Sequence, residues 1–110
     1  MLIDFNAMEE KRVEHQRGGE KYVMTKGYAD DEIRIVRGRL VPGASVGLHP
    51  HAGSIEVIYV LEGNGRIECD GEIERIGAGM AHYCKNGSSH TFINDSEADI
   101  LYFAVIPQVG

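Results

Sequence analysis

The sequence lacks several features that mark common functional classes. It has no tryptophan, three prolines and two cysteines among 110 residues, and no apolar run long enough to cross a bilayer. Eleven Lys and Arg face seventeen Asp and Glu, which gives a formal charge of -6 without a basic cluster to neutralise phosphates. We therefore expect no nucleic-acid partner, no membrane insertion and a cytoplasmic location.

The two cysteines do not form a recognisable redox or zinc motif. Cys69 and Cys84 are fifteen positions apart, and each lies in strand-like sequence. In a cytoplasmic protein such cysteines are mostly small buried apolar residues. We expect both to be reduced structural thiols.

Short strands dominate the sequence from about residue 21 onward. The chain has 14 glycines, and Gly, Asn and Asp separate runs of β-branched or alternating residues. These runs predict strands at residues 21–29, 32–41, 45–49, 55–62, 65–70, 72–76, 80–84, 90–94 and 99–106. Their number and spacing predict an all-β sandwich or barrel, formed by one domain over residues 21–110.

Residues 1–20 differ from the strand-rich remainder. The stretch Ala7–Gln16 has only Met8 and Val13 as apolar residues, and it is charged elsewhere. We predict an N-terminal segment that forms a short helix or an arm, outside the barrel domain.

Glu56 is the anomalous residue of the strand predicted at 55–62. The neighbouring residues are apolar on both faces of that strand, and a buried carboxylate is costly without a cation or hydrogen-bond donors. Just before it, His49 and His51 stand two positions apart, so on an extended strand they project from the same face. Two imidazoles and one carboxylate within eight residues indicate a metal site, although isolated histidines are more often surface or core residues.

The spacing around these residues resembles the first motif of the cupin family. Gly43 is followed by five residues and His49, by one residue and His51, by four residues and Glu56, and by six residues and Gly63. The resemblance covers about residues 32–106. It implies a small single-domain cupin, an all-β double-stranded β-helix with a jelly-roll barrel.

The second cupin motif fits the sequence in two registers, and both lack its proline. One register consists of Gly71, Gly77 in the proline position, Gly79, His82 and Asn86. The other consists of Gly79, Lys85 in the proline position, Gly87, His90 and Asn94. We favour the second register because it leaves fifteen residues after Gly63 for a hairpin, and because a polar turn and an apolar closing strand follow it.

The resemblance then implies one divalent metal ion bound by His49, His51, Glu56 and His90. Three imidazoles and one carboxylate suit Mn, Fe, Co, Ni, Cu or Zn, and affinity order does not select among them. Four protein ligands leave coordination positions for a small oxygen-rich metabolite such as a sugar or a carboxylate. The family includes isomerases, dioxygenases and lyases as well as non-catalytic small-molecule or metal-binding modules, so the sequence does not decide whether the protein is an enzyme.

An enzyme would need a proton-transfer group beside the ion. The candidates on predicted strands are His82, Tyr59, Tyr83 and Tyr102, each of which is at least as well suited to packing. Arg34, Arg37 and Arg39 lie on one predicted strand. Arg37 and Arg39 could lie near the barrel mouth or on its solvated outside, and we expect the outside.

The strand at residues 55–62 also bears on oligomeric state. Its second apolar face has little predicted helix to cover it, and large exposed apolar patches are unusual in monomers. A two-fold arrangement would bury that face. We therefore predict a homodimer.

Overall fold

Two antiparallel sheets form the protein. The computed structural model describes residues 1–110 and contains ten strands and two short 3₁₀ turns, Phe5–Ala7 and Gln16–Gly18. The strands are β1 (Lys11–Glu14), β2 (Tyr22–Ala29), β3 (Ile33–Leu40), β4 (Ser45–Pro50), β5 (Glu56–Glu62), β6 (Asn64–Cys69), β7 (Glu72–Gly77), β8 (Ala81–Cys84), β9 (Ser89–Ile93) and β10 (Ile100–Pro107). No helix is both long and apolar enough to cross a membrane.

The order of the strands is that of a jelly-roll barrel. One sheet runs β1-β2-β3-β10-β5-β8 and the other β4-β9-β6-β7, so the closing strand β10 lies between β3 and β5. The core fills the space between the sheets, and its fully buried members include Val23, Leu40, Val60 and Ile100. The all-β barrel predicted from the sequence is therefore confirmed.

Nine of the ten strands begin and end within one residue of the predicted limits. Their alternation of buried and exposed residues places one side of each strand in the core, as in β10, where Ile100, Tyr102 and Ala104 are buried. Asn94, the residue that follows β9, is fully buried. Its Nδ2 donates to the carbonyls of Leu40 and Ala98, both at 2.8 Å, and thereby ties two turns together.

The N-terminal segment differs from one of its two predicted forms. A helix over Ala7–Gln16 is wrong, because this stretch contains the strand β1 and the Gln16–Gly18 turn. Val13 pairs with Val23 of β2, which gives its single apolar side chain a place beside the core. Pairing with an existing sheet edge outweighs a weak local helix preference.

Candidate metal centre

Four buried side chains from three strands and one loop meet at one end of the barrel. His49 lies on β4, His51 just after it, Glu56 at the start of β5 and His90 on β9. His90 is the cross-strand partner of His49. Their exposures of 8%, 4%, 8% and 1%, in that order, show that the cluster is almost closed to solvent.

An irregularity in β4 sets the orientation of His49. The register with β9 shifts between Val46 and His49, so Leu48 points outward and His49 inward. The Nδ1 of His49 lies 2.7 Å from the carbonyl oxygen of Gly47. Because a carbonyl only accepts, Nδ1 carries the proton and the Nε2 lone pair faces the cluster.

The other two imidazoles also have a partner behind the ring. Nδ1 of His51 lies 2.8 Å from the hydroxyl of Ser54, and Nδ1 of His90 lies 3.0 Å from Nε2 of His82. Such outer hydrogen bonds fix ring orientation in metal centres. All three histidines therefore present Nε2 to the same point.

The spacing of the four donor atoms fits one ion. His90 Nε2 lies 2.9 Å from Glu56 Oε1, 3.1 Å from His51 Nε2 and 3.2 Å from His49 Nε2, while His51 Nε2 lies 3.0 Å from the same carboxylate oxygen. Ligand atoms about 2.1 Å from an ion and at right angles to each other are about 3.0 Å apart. The cluster thus has both the donor types and the spacing of a transition-metal site.

Burial and charge set the protonation of the cluster. Burial lowers the pKa of both His49 and His51, with the Glu56 carboxylate opposing it, so these rings favour the neutral form that metals bind. Burial alone would raise the pKa of Glu56, but its hydrogen bond with His90 and the nearby imidazoles hold that pKa below its usual value. The carboxylate is therefore ionised where a cation would lie.

The cluster forms the floor of a cavity of about 330 Å³. Apolar walls surround the floor, formed by Val36, Ile58, Phe92, Tyr102 and Ala104 among others. Polar and cationic side chains surround the opening, namely Gln16, Arg17, Arg34 and Gln108. The cavity suits a small ligand with an apolar or thin body and anionic oxygens.

Part of the opening comes from a strained stretch, residues 15–21, which we call the rim segment. His15, Arg17 and Lys21 have positive φ values of 49°, 54° and 53°, which is rare for residues other than glycine. Such strain concentrates at functional sites. The side-chain oxygen Oε1 of Gln16, which belongs to the rim segment, is buried and has no hydrogen-bond partner in the protein.

Sequence reasoning missed Gln16 and Arg17 as cavity residues. The segment matches no motif, and the residue types His15 and Arg17 do not indicate a left-handed backbone conformation. The one signal was the Gly18-Gly19 pair after a short polar run, which indicates a tight turn.

The four candidates for proton transfer separate into two groups. His82 contacts His90 from behind, and Tyr102 lines the cavity. Tyr59 and Tyr83 are 42% and 54% exposed on the outer face. Each directly adjoins a residue whose side chain points inward, and side chains alternate between the two faces of a strand. Neither outer tyrosine can serve a group inside the barrel.

The arginines of β3 divide in the same way. Arg34 lines the cavity opening, whereas Arg37 and Arg39 lie outside, Arg39 pairing with Glu10 at 3.0 Å and with Asp99 at 3.2 Å. The expectation for Arg37 and Arg39 is confirmed. Arg34 is the member of the series that faces the candidate site.

Comparisons with known proteins agree with this fold. The cupin domain family matches residues 36–106. An oxalate-binding protein of Thermotoga maritima is 31% identical, over 96% of this chain and 93% of its own length.

Two solved structures show the same fold. A Thermotoga maritima protein described as a predicted oxalate decarboxylase superposes with a TM-score of 0.91 at 31% identity, covering 98% of this chain and 99% of its own. The cupin domain of Schizosaccharomyces pombe Cnp3 has a TM-score of 0.78 at 9% identity, with coverage of 96% and 72%.

Proposed function

Because this chain belongs to the cupin family, we propose that it holds one divalent transition-metal ion and binds a small carboxylate beside it. The proposed ligands are His49, His51, Glu56 and His90. The convergence of their donor atoms at 2.9–3.2 Å on the floor of a cavity is the observation that carries the proposal. Mn, Fe, Co, Ni, Cu and Zn all suit this donor set.

A carboxylate fits the cavity better than a neutral sugar. When bound, the ion supplies positive charge and open positions for oxygen ligands. The only charged groups at the opening are the arginines 17 and 34, and the guanidinium is suited to carboxylates. Arg17 is close enough for its charge to lower the pKa of His49 and His51, after the larger effect of burial. Oxalate is the natural probe, given the name of the Thermotoga relative.

We favour binding over turnover. Decarboxylation of oxalate to formate and carbon dioxide requires a proton at the new C–H bond. Apart from the four proposed ligands, the cavity is lined by no other carboxylate or imidazole. Its one other acid, Tyr102, has a pKa raised by burial and then by Glu56, so it donates poorly.

The test uses Mn-loaded protein and oxalate. We expect saturable binding by isothermal titration calorimetry without release of formate, and about tenfold weaker binding by Arg17→Gln, because one charge-assisted contact is lost. Arg37→Gln, an arginine outside the cavity, is the matched control and should bind like the wild type.

Three outcomes would contradict this proposal. Absence of oxalate binding by the loaded protein would exclude oxalate as the ligand. Equal affinities of the Arg17 variant and the wild type would remove the rim segment from recognition, and formate release would show that the protein is an enzyme.

We also propose that the chain forms a two-fold homodimer through an outer apolar patch, defined as Val57, Tyr59, Tyr83, Phe103 and Val105. These residues neighbour one another across β10, β5 and β8. Both tyrosines are exposed in the monomer, and an apolar face of this kind favours self-association.

We expect light scattering to give twice the chain mass. Tyr59→Glu should raise the dimer dissociation constant about 30-fold, because it buries a charge at the centre of the patch. Ile73→Glu, which changes an exposed apolar residue on the other sheet, should leave the mass unchanged. A monomeric wild-type protein at high concentration would contradict the proposal.

A further inference from the structure

A second cluster of potential ligands lies outside the proposed metal centre. We propose that Cys69, His82 and Cys84 form a separate site for a thiophilic cation such as Zn²⁺, Cu⁺ or Cd²⁺. One donor atom from each of the three residues lies within 4.8 Å of the others. Two sulfurs and one imidazole nitrogen form a donor set that selects soft or borderline ions.

The barrel topology brings these residues together from both sheets. Cys69 ends β6, and Cys84 ends β8, while His82 lies two residues before Cys84 and so faces the same side. Cys69 is the cross-strand partner of His90, and Cys84 is the partner of Glu56. The second cluster therefore adjoins the first and shares none of its ligands.

Carboxylates near the cluster add attraction for a cation. Burial raises the pKa of both cysteines, that of Cys84 to about 12. Asp70 contributes to both shifts, and Glu72 and Glu74 contribute to that of Cys69. The same negative charges attract a metal ion, and a coordinating thiol gives up its proton outright.

Solvent can reach the cluster on its His82 side. A cavity of about 200 Å³, separate from the one above the four-donor centre, is lined by His82, Glu74, Met80 and Tyr83 among others. His82 and Cys69 are half-buried, whereas Cys84 is fully buried. A tetrahedral ion bound by three residues would have its fourth position free for water on the solvent side.

The experiment is a Cd²⁺ titration of the fully reduced chain, followed by ultraviolet absorption and by ion counting. Cd²⁺–thiolate bonds absorb in the ultraviolet, whereas binding by nitrogen and oxygen does not. We expect the thiolate band in the wild type with two ions per chain. Cys69→Ser and Cys84→Ser should each lose the band and the ion at the cysteine cluster but keep the ion at the four-donor centre.

His82→Gln should weaken the thiolate-linked binding tenfold or more, while His15→Gln, a histidine outside both clusters, should not change it. Circular dichroism of each variant identifies any that fails to fold, and Cys69→Ser, at a half-buried position, is the more tolerant change. The proposal would be overturned if the reduced wild-type protein showed no thiolate band. It would also be overturned if the band were as strong in Cys69→Ser and in Cys84→Ser as in the wild type. Because the band reports sulfur ligands only, its appearance distinguishes binding at the cysteine cluster from binding at the four-donor centre.

Discussion

His51→Ala protein should be purified without stoichiometric metal, whereas the wild type should retain one Mn²⁺ per chain at the four-donor centre. The Nε2 of His51 lies within 3.1 Å of both His90 and Glu56, so its loss opens the middle of the cluster. Loss of an outer hydrogen bond alone costs about 10- to 100-fold in metal affinity, and loss of a direct ligand costs at least as much. We therefore expect Mn²⁺ affinity to fall by about 100-fold or more.

Mn²⁺ is the appropriate ion for this measurement because it prefers oxygen and nitrogen over thiolate, which keeps the cysteine cluster out of the result. Affinities would be measured by competition with a chromophoric chelator, and metal content by elemental analysis. His15→Ala serves as the control, since it removes an imidazole outside the cluster. Unchanged Mn²⁺ binding by the His51 variant would show that the ion lies elsewhere.

Gly47→Ala should destabilise the fold and also weaken oxalate binding by the loaded protein about tenfold, as expected for Arg17→Gln. A Cβ at Gly47 would lie 2.1 Å from the carbonyl oxygen of Arg17 and 2.8 Å from the amide nitrogen of Gly19, and both are backbone atoms. The rim segment would have to leave β4 and take Arg17 from the cavity opening. Overpacking of this kind costs about 3 kcal/mol in free energy of unfolding, measurable by denaturant titration.

Gly77→Ala is the matched control. Gly77 also lies on a strand with negative φ, but the nearest atom to an added Cβ would be 3.7 Å away, an ordinary contact. We expect a change below about 0.5 kcal/mol there. If Gly47→Ala were as stable as Gly77→Ala, close packing of the rim segment on β4 would be disproved.

The strands and the histidine–glutamate cluster could be predicted because their signals are local. Alternation of apolar residues marks each strand, and Glu56 in an otherwise apolar run indicates a compensating cation before any fold is known. The place of His90 was harder to predict, since two registers fitted the glycines. The structure brings His90 to the other three residues and leaves His82 behind it.

The rim segment and β1 could not be predicted because their conformation depends on distant residues. Val13 belongs to a strand only because Val23 offers a pairing edge. Arg17 reaches the cavity only because Gly19 and Gly47 let two backbones approach closely, as the collisions of an added Cβ with Ser45 and Arg17 show. Such close contacts require glycine at these positions, but a glycine in the sequence does not indicate which distant backbone it contacts.

The hydrogen bond between Nδ1 of His90 and Nε2 of His82, 3.0 Å long, has room for a single proton. An ion on Nε2 of His90 leaves that proton on Nδ1, directed at His82. An ion on Nδ1 of His82 would need the proton on Nε2 of His82 instead of on Nδ1 of His90. An ion on Nε2 of His82 would occupy the nitrogen that accepts this hydrogen bond. Either ion would thus bind more weakly once its neighbour is bound, and thermodynamic reciprocity requires the penalty to be equal in both directions. The two clusters would then be anticooperative, and the protein would respond to the ratio of hard to soft metals as well as to their amounts.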